Sequence, residues 1–263
     1  MTRTIAIAMQ KGGVGKTTTT INLAAALTKL GQRVLAVDLD AQGNLTQHAG
    51  FDPEQLSPTV YDSLRAEVDG FEGDAIDAIY ETEEKFHLLP SQPELSLVEV
   101  ALINTLSRER VLDNILQNIR PHYDFILIDC SPSLGLLVIN ALTAADSVIV
   151  PVQTDYLAAR GAFMILSSIE TVRRKKLNPQ LAVEGILLTM ADTRTLLAQD
   201  IQREVNAQYG DGVQIFKPVI RRSVRFGESA AAGQSILAYD PKSAGAKAYL
   251  EVAESILEGK NHG

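Results

Sequence analysis

The 263-residue sequence predicts an α/β fold: a doubly wound, mostly parallel sheet flanked by helices. Three observations predict it. Short runs that are apolar throughout recur along the chain, as strands buried on both faces require. Segments with apolar residues three and four apart separate those runs, as helices between parallel strands would. A glycine-rich loop joins the first apolar run to the first helical segment, and right-handed crossovers are expected throughout.

In chain order, Arg3–Met9 reads as a buried strand. Lys16–Leu30 reads as a helix with Ile21, Leu23, Ala24, Leu27 and Leu30 on its apolar stripe and Gly31 as its C-terminal stop. Arg33–Leu39, Asp124–Asp129, Ser147–Val152 and Val183–Thr189 are further strands, and Gln214–Lys217 is a short sixth. Helices are expected at roughly 95–119, 135–144, 160–177, 195–209 and 243–258. Residues 50–85 are acidic and interrupted by Pro53, Pro58, Gly70 and Gly73, which suggests small helices and loops at a sheet edge. With no repeat, low-complexity segment or composition break, residues 1–258 are expected to form one domain, followed by a short polar tail at 259–263.

Composition narrows the classes of function. Hydrophobic residues make up 46% and charged residues 21%, as in a globular domain with a proper core. There is no apolar run long enough for a transmembrane helix, and the glycine-rich loop begins too early to leave room for a signal peptide, so the cytoplasm is the expected compartment. The one cysteine, Cys130, reads as a small buried residue at a strand end; alone it makes neither an internal disulfide nor a thiolate metal cage. Net charge is -8, but it is unevenly spread: residues 160–225 carry 11 basic and 6 acidic side chains, enough for a local basic face on an acidic protein.

The loop Gln10-Lys11-Gly12-Gly13-Val14-Gly15-Lys16-Thr17-Thr18 carries the clearest chemistry. Gly15-Lys16-Thr17 matches the end of the general phosphate-binding loop of nucleoside triphosphatases, G-x-x-x-x-G-K-[ST]. Gln10 stands where the first glycine of that pattern would be, and Lys11 places a second lysine inside the loop. The glycines let backbone N–H groups of residues 12–17 turn toward phosphate oxygens, and the helix N-terminus adds its positive end. Lys16 neutralises the β- and γ-phosphates, the Thr17 hydroxyl is a Mg²⁺ ligand, and Thr18 adds an α-phosphate contact. Lys11 cannot easily serve the same phosphates as Lys16 without crowding charge. Asp40 and Asp129 fall at C-terminal strand ends, the edge where ligands bind in open α/β sheets.

Gln10–Thr18 resembles the signature of the ParA/Soj/MinD family of deviant Walker-type P-loop ATPases, and the resemblance runs nearly the whole chain. Val37-Asp38-Leu39-Asp40-Ala41-Gln42-Gly43-Asn44 is similar to the family's VDxDPQGN segment, and Tyr123–Gly135 to its YDxIxIDCPPSLG segment. Val150–Gln153, Leu188-Thr189-Met190, Arg194-Thr195, Val224-Arg225 and Tyr239–Ser243 fit in order, closest to the ParA/Soj partition and cargo-positioning branch. The resemblance implies an ATP-sandwiched homodimer in which Lys11 reaches the partner's phosphates. It implies Asp40 as the residue that orients the attacking water and Asp129 as a holder of Mg²⁺ through water. Catalysis then rests on Lys11, Lys16 and Asp40. Nucleotide is held by Lys11 to Thr18, namely Lys11, Gly12, Gly13, Val14, Gly15, Lys16, Thr17 and Thr18, with Met190, Arg221 and Ser223 at the adenine. The expected activity is slow Mg²⁺-dependent ATP hydrolysis, stimulated by a ParB-like or cargo-adaptor protein.

In the same resemblance the ATP dimer binds duplex DNA without sequence preference, which places the protein on the nucleoid. Arg194 and Arg225 occupy positions of DNA-contacting arginines, and Arg222 adds charge beside them; the planar arginine fork suits phosphate oxygens. No aromatic platform interleaves with them, so duplex is favoured over single strand. The sequence departs from the family pattern at Ala41, Ser131, Asp155–Gly161, Arg221-Arg222-Ser223 and Phe226-Gly227. Two other functions use the same loop. A MinD-like membrane-positioning ATPase would need a basic amphipathic C-terminal helix, which Glu258–Gly263 is too short and polar to supply. A metabolic P-loop enzyme of the iron–sulfur kind would need more thiolates than Cys130 offers, and one of the ligase kind fits less well over 188–243.

Overall fold

The computed structural model describes residues 1–71, 75–153, 158–191 and 213–260. Among the described residues seven strands form one sheet: β1 (Arg3–Ile7), β2 (Val34–Leu39), β3 (Tyr80–Glu81), β4 (His87–Leu89), β5 (Phe125–Cys130), β6 (Ser147–Gln153) and β7 (Ala182–Thr189). Their order is β3-β4-β2-β5-β1-β6-β7. All neighbours pair in parallel except β3 with β4. β1 lies between β5 and β6, so the chain leaves it toward one side of the sheet for β2 and returns on the other for β6. A crevice opens at such a reversal, beyond the carboxyl ends of the strands.

Alternation along the strands feeds two cores. Ile5 and Ile7 of β1 face one side, where they join Leu23 and Leu27 of α1 (Lys16–Lys29), Phe125 and Tyr249. Ala6 and Ala8 face the other and join Leu35, Ile126, Leu112 and Ile165. On the first side α1 packs against α10 (Ala244–Lys260), with the short helices α8 (Val224–Ala231) and α9 (Ile236–Tyr239) nearby. The second side carries α3 (Val60–Asp69), α4 (Leu95–Leu102), α5 (Val111–Ile119), α6 (Leu136–Ala144) and α7 (Ala158–Arg174). One further short helix, α2 (Asn44–His48), follows β2 at the crevice.

Several expectations need correcting in detail. The segment 95–119 is two helices, not one: Ser107 takes a left-handed backbone (φ 52°), and Leu106 is exposed. Asn140 of α6 seals the break, accepting Leu112 N–H at 3.1 Å and donating to Arg108 O at 2.8 Å. Gln214–Lys217 makes only isolated parallel bridging beside β7, through Ile215. Pro218, which has no N–H to give, follows at once, and pairing resumes at Arg221 beside Ala191. Residues 50–85 hold the expected small helices, α3 among them, but also strand β3, which is too short for a sequence period to announce. Gly31 ends α1 as expected, in a left-handed conformation (φ 84°), and the last helix runs to Lys260. The expected helix at 195–209 lies outside the described residues.

Candidate nucleotide and metal site

The loop from Ala8 to Gly15 leaves β1 at the crevice and ends in α1. Gly13 and Gly15 both take positive φ, 71° and 87°, which side chains other than glycine adopt at a cost. Gly15 is the N-cap of α1 and no side chain caps that end. The first N–H groups of the helix therefore remain available to an anion. Thr189 of β7 donates to Val14 O at 2.8 Å, so the far strand of the crevice braces the loop.

Lys16 is buried and donates to Lys11 O at 3.1 Å, which holds its ammonium inside the loop. Burial lowers its pKa, opposed chiefly by Asp129. Asp129 is buried at the end of β5. It accepts the Thr17 hydroxyl at 2.7 Å and the Thr20 hydroxyl at 3.3 Å. Burial pushes its pKa up to about 8, with Asp38 on the adjoining strand adding to the rise and Thr17 and Lys16 opposing it. A carboxylate in this setting gains from a nearby cation. Among the described residues no cluster of three or more His, Cys, Asp or Glu exists that could hold a metal alone. One hydroxyl and one carboxylate instead suit Mg²⁺, which keeps waters and takes phosphate oxygens as its other ligands.

Two connected cavities complete the site. The first, about 470 Å³, is lined by the glycine-rich loop, Lys16, Thr17, Thr18, Asp40 and Met190, with His48, Pro132 and Ala230 at its walls. The second, about 210 Å³, shares Gly15, Thr18 and Met190 and is lined by Arg221, Ser223, Phe226 and Tyr249. Met190 stands between them in a left-handed conformation (φ 52°). A larger space at the glycine-rich loop beside a smaller one bounded by aromatic rings suits the phosphate and base ends of a nucleotide.

The structure thus brings Gly12, Gly13, Gly15, Lys16, Thr17, Thr18, Asp40, Met190, Arg221 and Ser223 to one crevice, with Asp129 bonded to Thr17. Val14 is buried within the loop, and Lys11 is half-buried and lines neither cavity. Arg222, expected to face DNA, lines the second cavity as well. Arg225 is exposed on α8, where it pairs with Glu228 at 2.8 Å and approaches Asp240 at 3.9 Å. Arg194 lies outside the described residues. Sequence reasoning missed His48, Thr189, Phe226 and Tyr249 as parts of the site; they come from four distant segments, and no local pattern joins them. It also missed Asp38, although its alternation with Asp40 in Val37–Asp40 was a signal.

Fold and site together define a P-loop nucleoside-triphosphate-binding protein. The AAA domain family model matches residues 2–183. The sporulation initiation inhibitor protein Soj of Bacillus subtilis is 45% identical over 97% of this chain and 98% of its own. The chromosome partitioning protein ParA of Caulobacter vibrioides is 42% identical over 97% of this chain and 94% of its own. Among solved structures, cobyrinic acid a,c-diamide synthase from Mycobacterium smegmatis with bound ADP and magnesium superposes with a TM-score of 0.84 at 38% identity, covering 99% of this chain and 96% of that one. The chain belongs to the ParA/Soj/MinD family of deviant Walker-type P-loop ATPases. No helix among the described residues is long and apolar enough to cross a membrane.

Proposed function

We propose that the protein is an ATP-driven switch of the ParA type that positions a plasmid, a chromosome or a protein complex. The observation that carries this is the arrangement of the loop's two lysines. Lys16 is buried with its ammonium on Lys11 O, while Lys11 is half-buried and is not among the residues that line the phosphate cavity. One lysine serves the phosphates bound in cis, and the other reaches those of a second protomer across a face-to-face homodimer. Thr17 and Asp129 would hold Mg²⁺, which would supply charge neutralisation on the phosphates. Asp40, on the wall of the phosphate cavity, orients the attacking water for slow hydrolysis. Arg221 and Ser223 meet the adenine together with Met190.

In this scheme the dimer binds duplex DNA without sequence preference through Arg194, Arg222 and Arg225, on the nucleoid in the cytoplasm. Exposed ion pairs are weakly held, so phosphate oxygens can replace Glu228 and Asp240 on Arg225. A ParB-like or cargo-adaptor protein stimulates hydrolysis and releases the DNA. The name of the Mycobacterium smegmatis structure favours a second function, amide-forming ligation. A ligase that draws ammonia from glutamine needs a reactive thiol. The lone Cys130 is buried, and burial pushes its thiol pKa well up.

The test is anisotropy of an arbitrary labelled duplex with ATP, ADP or no nucleotide, at two salt concentrations. The expected result is binding with ATP alone, with a log–log salt slope of about -5 for roughly six phosphate contacts. Dimerisation with ATP but no DNA binding in any state would overturn the DNA assignment.

A further inference from the structure

Asp38 is a fully buried carboxylate that no step above uses. It lies beside Asp129 in the register of β2 and β5. Its Oδ1 accepts the Asp40 N–H at 3.2 Å. Its Oδ2 accepts the Thr46 N–H at 2.9 Å and the Thr46 hydroxyl at 2.8 Å. That hydroxyl in turn accepts the Ser91 N–H at 3.0 Å. Its single proton and one lone pair are both engaged, so its orientation is fixed.

One carboxylate therefore ties down both ends of the segment that carries Asp40. Between the ties the chain turns tightly: Gly43 N–H donates to Asp40 O at 2.9 Å, and Gly43 has a positive φ of 62°. A Cβ on Gly43 would come within 2.8 Å of the Pro53 side chain, so the turn cannot drift outward without moving its neighbour. Neither Asp38 nor Thr46 lines the phosphate cavity, whereas Asp40 does.

We propose that Thr46 is a positioning residue for ATP hydrolysis: acting through Asp38, it holds the backbone at Asp40 where that carboxylate orients water. This rests on the assignment of Asp40 given above. The clamp makes no hydrogen bond to the glycine-rich loop, although Gln42 and Asn44 of the clamped segment share the phosphate cavity with Asp40. Thr46→Val keeps the side-chain shape, removes the proton given to Asp38 and strands the Ser91 N–H. The expected effect is on turnover and not on affinity. A buried hydrogen bond to a charged group supports a fall of about tenfold or more in kcat.

The experiment measures phosphate release at saturating Mg²⁺-ATP and nucleotide affinity with a fluorescent ATP analogue, for wild type, Thr46→Val, Thr46→Ser and Asp40→Ala. Support is a tenfold loss of kcat in Thr46→Val, affinity and KM within about twofold of wild type, and recovery in Thr46→Ser. A merely structural role would shift KM and affinity together with kcat, and that result overturns the proposal. So does normal turnover of Thr46→Val beside an inactive Asp40→Ala. Normal turnover of Asp40→Ala would instead overturn the assignment on which it rests. Where Thr46→Val does not fold, Asp38→Asn takes its place, and unchanged kcat in that variant overturns the proposal equally.

Discussion

His48 gives stability a pH dependence that can be isolated. It is buried at the end of α2, with Nε2 at 3.2 Å from Gln234 O. Burial depresses its pKa to about 4, and the hydrogen bond to Gln234 only partly offsets that. The unfolded imidazole titrates near ~6.5. Because the folded-state value is the lower one, the unfolded chain takes up the proton first as pH falls. The contribution is complete above ~6.5 and is lost as pH drops toward about 4. At ~1.4 kcal/mol per unit, the full effect is roughly 3 kcal/mol, and about 2 kcal/mol of it is lost by about pH 5. Urea unfolding of wild type and His48→Gln at about pH 7.5 and about pH 5 reads it directly. Carboxylates titrate in both proteins and cancel in the comparison, so wild type should lose roughly 2 kcal/mol more than the variant. Parallel losses in the two proteins would show that His48 is not held neutral.

Four other outcomes are expected. Gly233→Ala places a Cβ 2.8 Å from Gly50 Cα at a φ of 66°, and chemical unfolding should show a loss of roughly 2–4 kcal/mol; Gly227→Ala, with nothing within 4 Å and a place inside α8, should be neutral or gain up to about 1 kcal/mol. Lys11→Ala should remain monomeric with ATP by light scattering, and a dimer of normal size would remove the cross-protomer role. Arg225→Ala should dimerise normally, bind duplex more weakly and lower the salt slope by about 1 for each contact removed; unchanged affinity would place the DNA on another surface.

The sheet and its nucleotide loop were legible because their signals are local. β1, β2, β5, β6 and β7 are continuous apolar runs, and Gly12–Thr18 is a contiguous motif whose chemistry follows from backbone geometry. What escaped depends on partners far away in sequence. β3 and β4 are too short to show a period; β4 exists because β2 offers it an edge, and β3 because β4 does. The break between α4 and α5 is stabilised by Asn140, some thirty residues later. α8 contains Gly227 and depends on the Ser223 hydroxyl, which accepts the Arg225 N–H at 3.2 Å. At the site, residue types at fixed spacing marked the phosphate end. The second cavity is lined by Met190, Ser223, Phe226 and Tyr249, which meet only when β7, α8 and α10 are brought against α1.

That assembly has a consequence for the chain as it is made. The glycine-rich loop is translated before the rest of its site, and β1 lacks its partner β5 until residue 130 has emerged. Asn22 of α1, which donates to Thr18 O at 2.6 Å, waits longer still for the Ile236 N–H that it accepts at 2.6 Å. Tyr249 closes the second cavity later again. A nascent chain halted halfway on the ribosome would display a nucleotide-binding motif without a nucleotide-binding site. Competence to bind is thereby linked to the emergence of α10, and a chain that stops short of it would lack a wall of the second cavity.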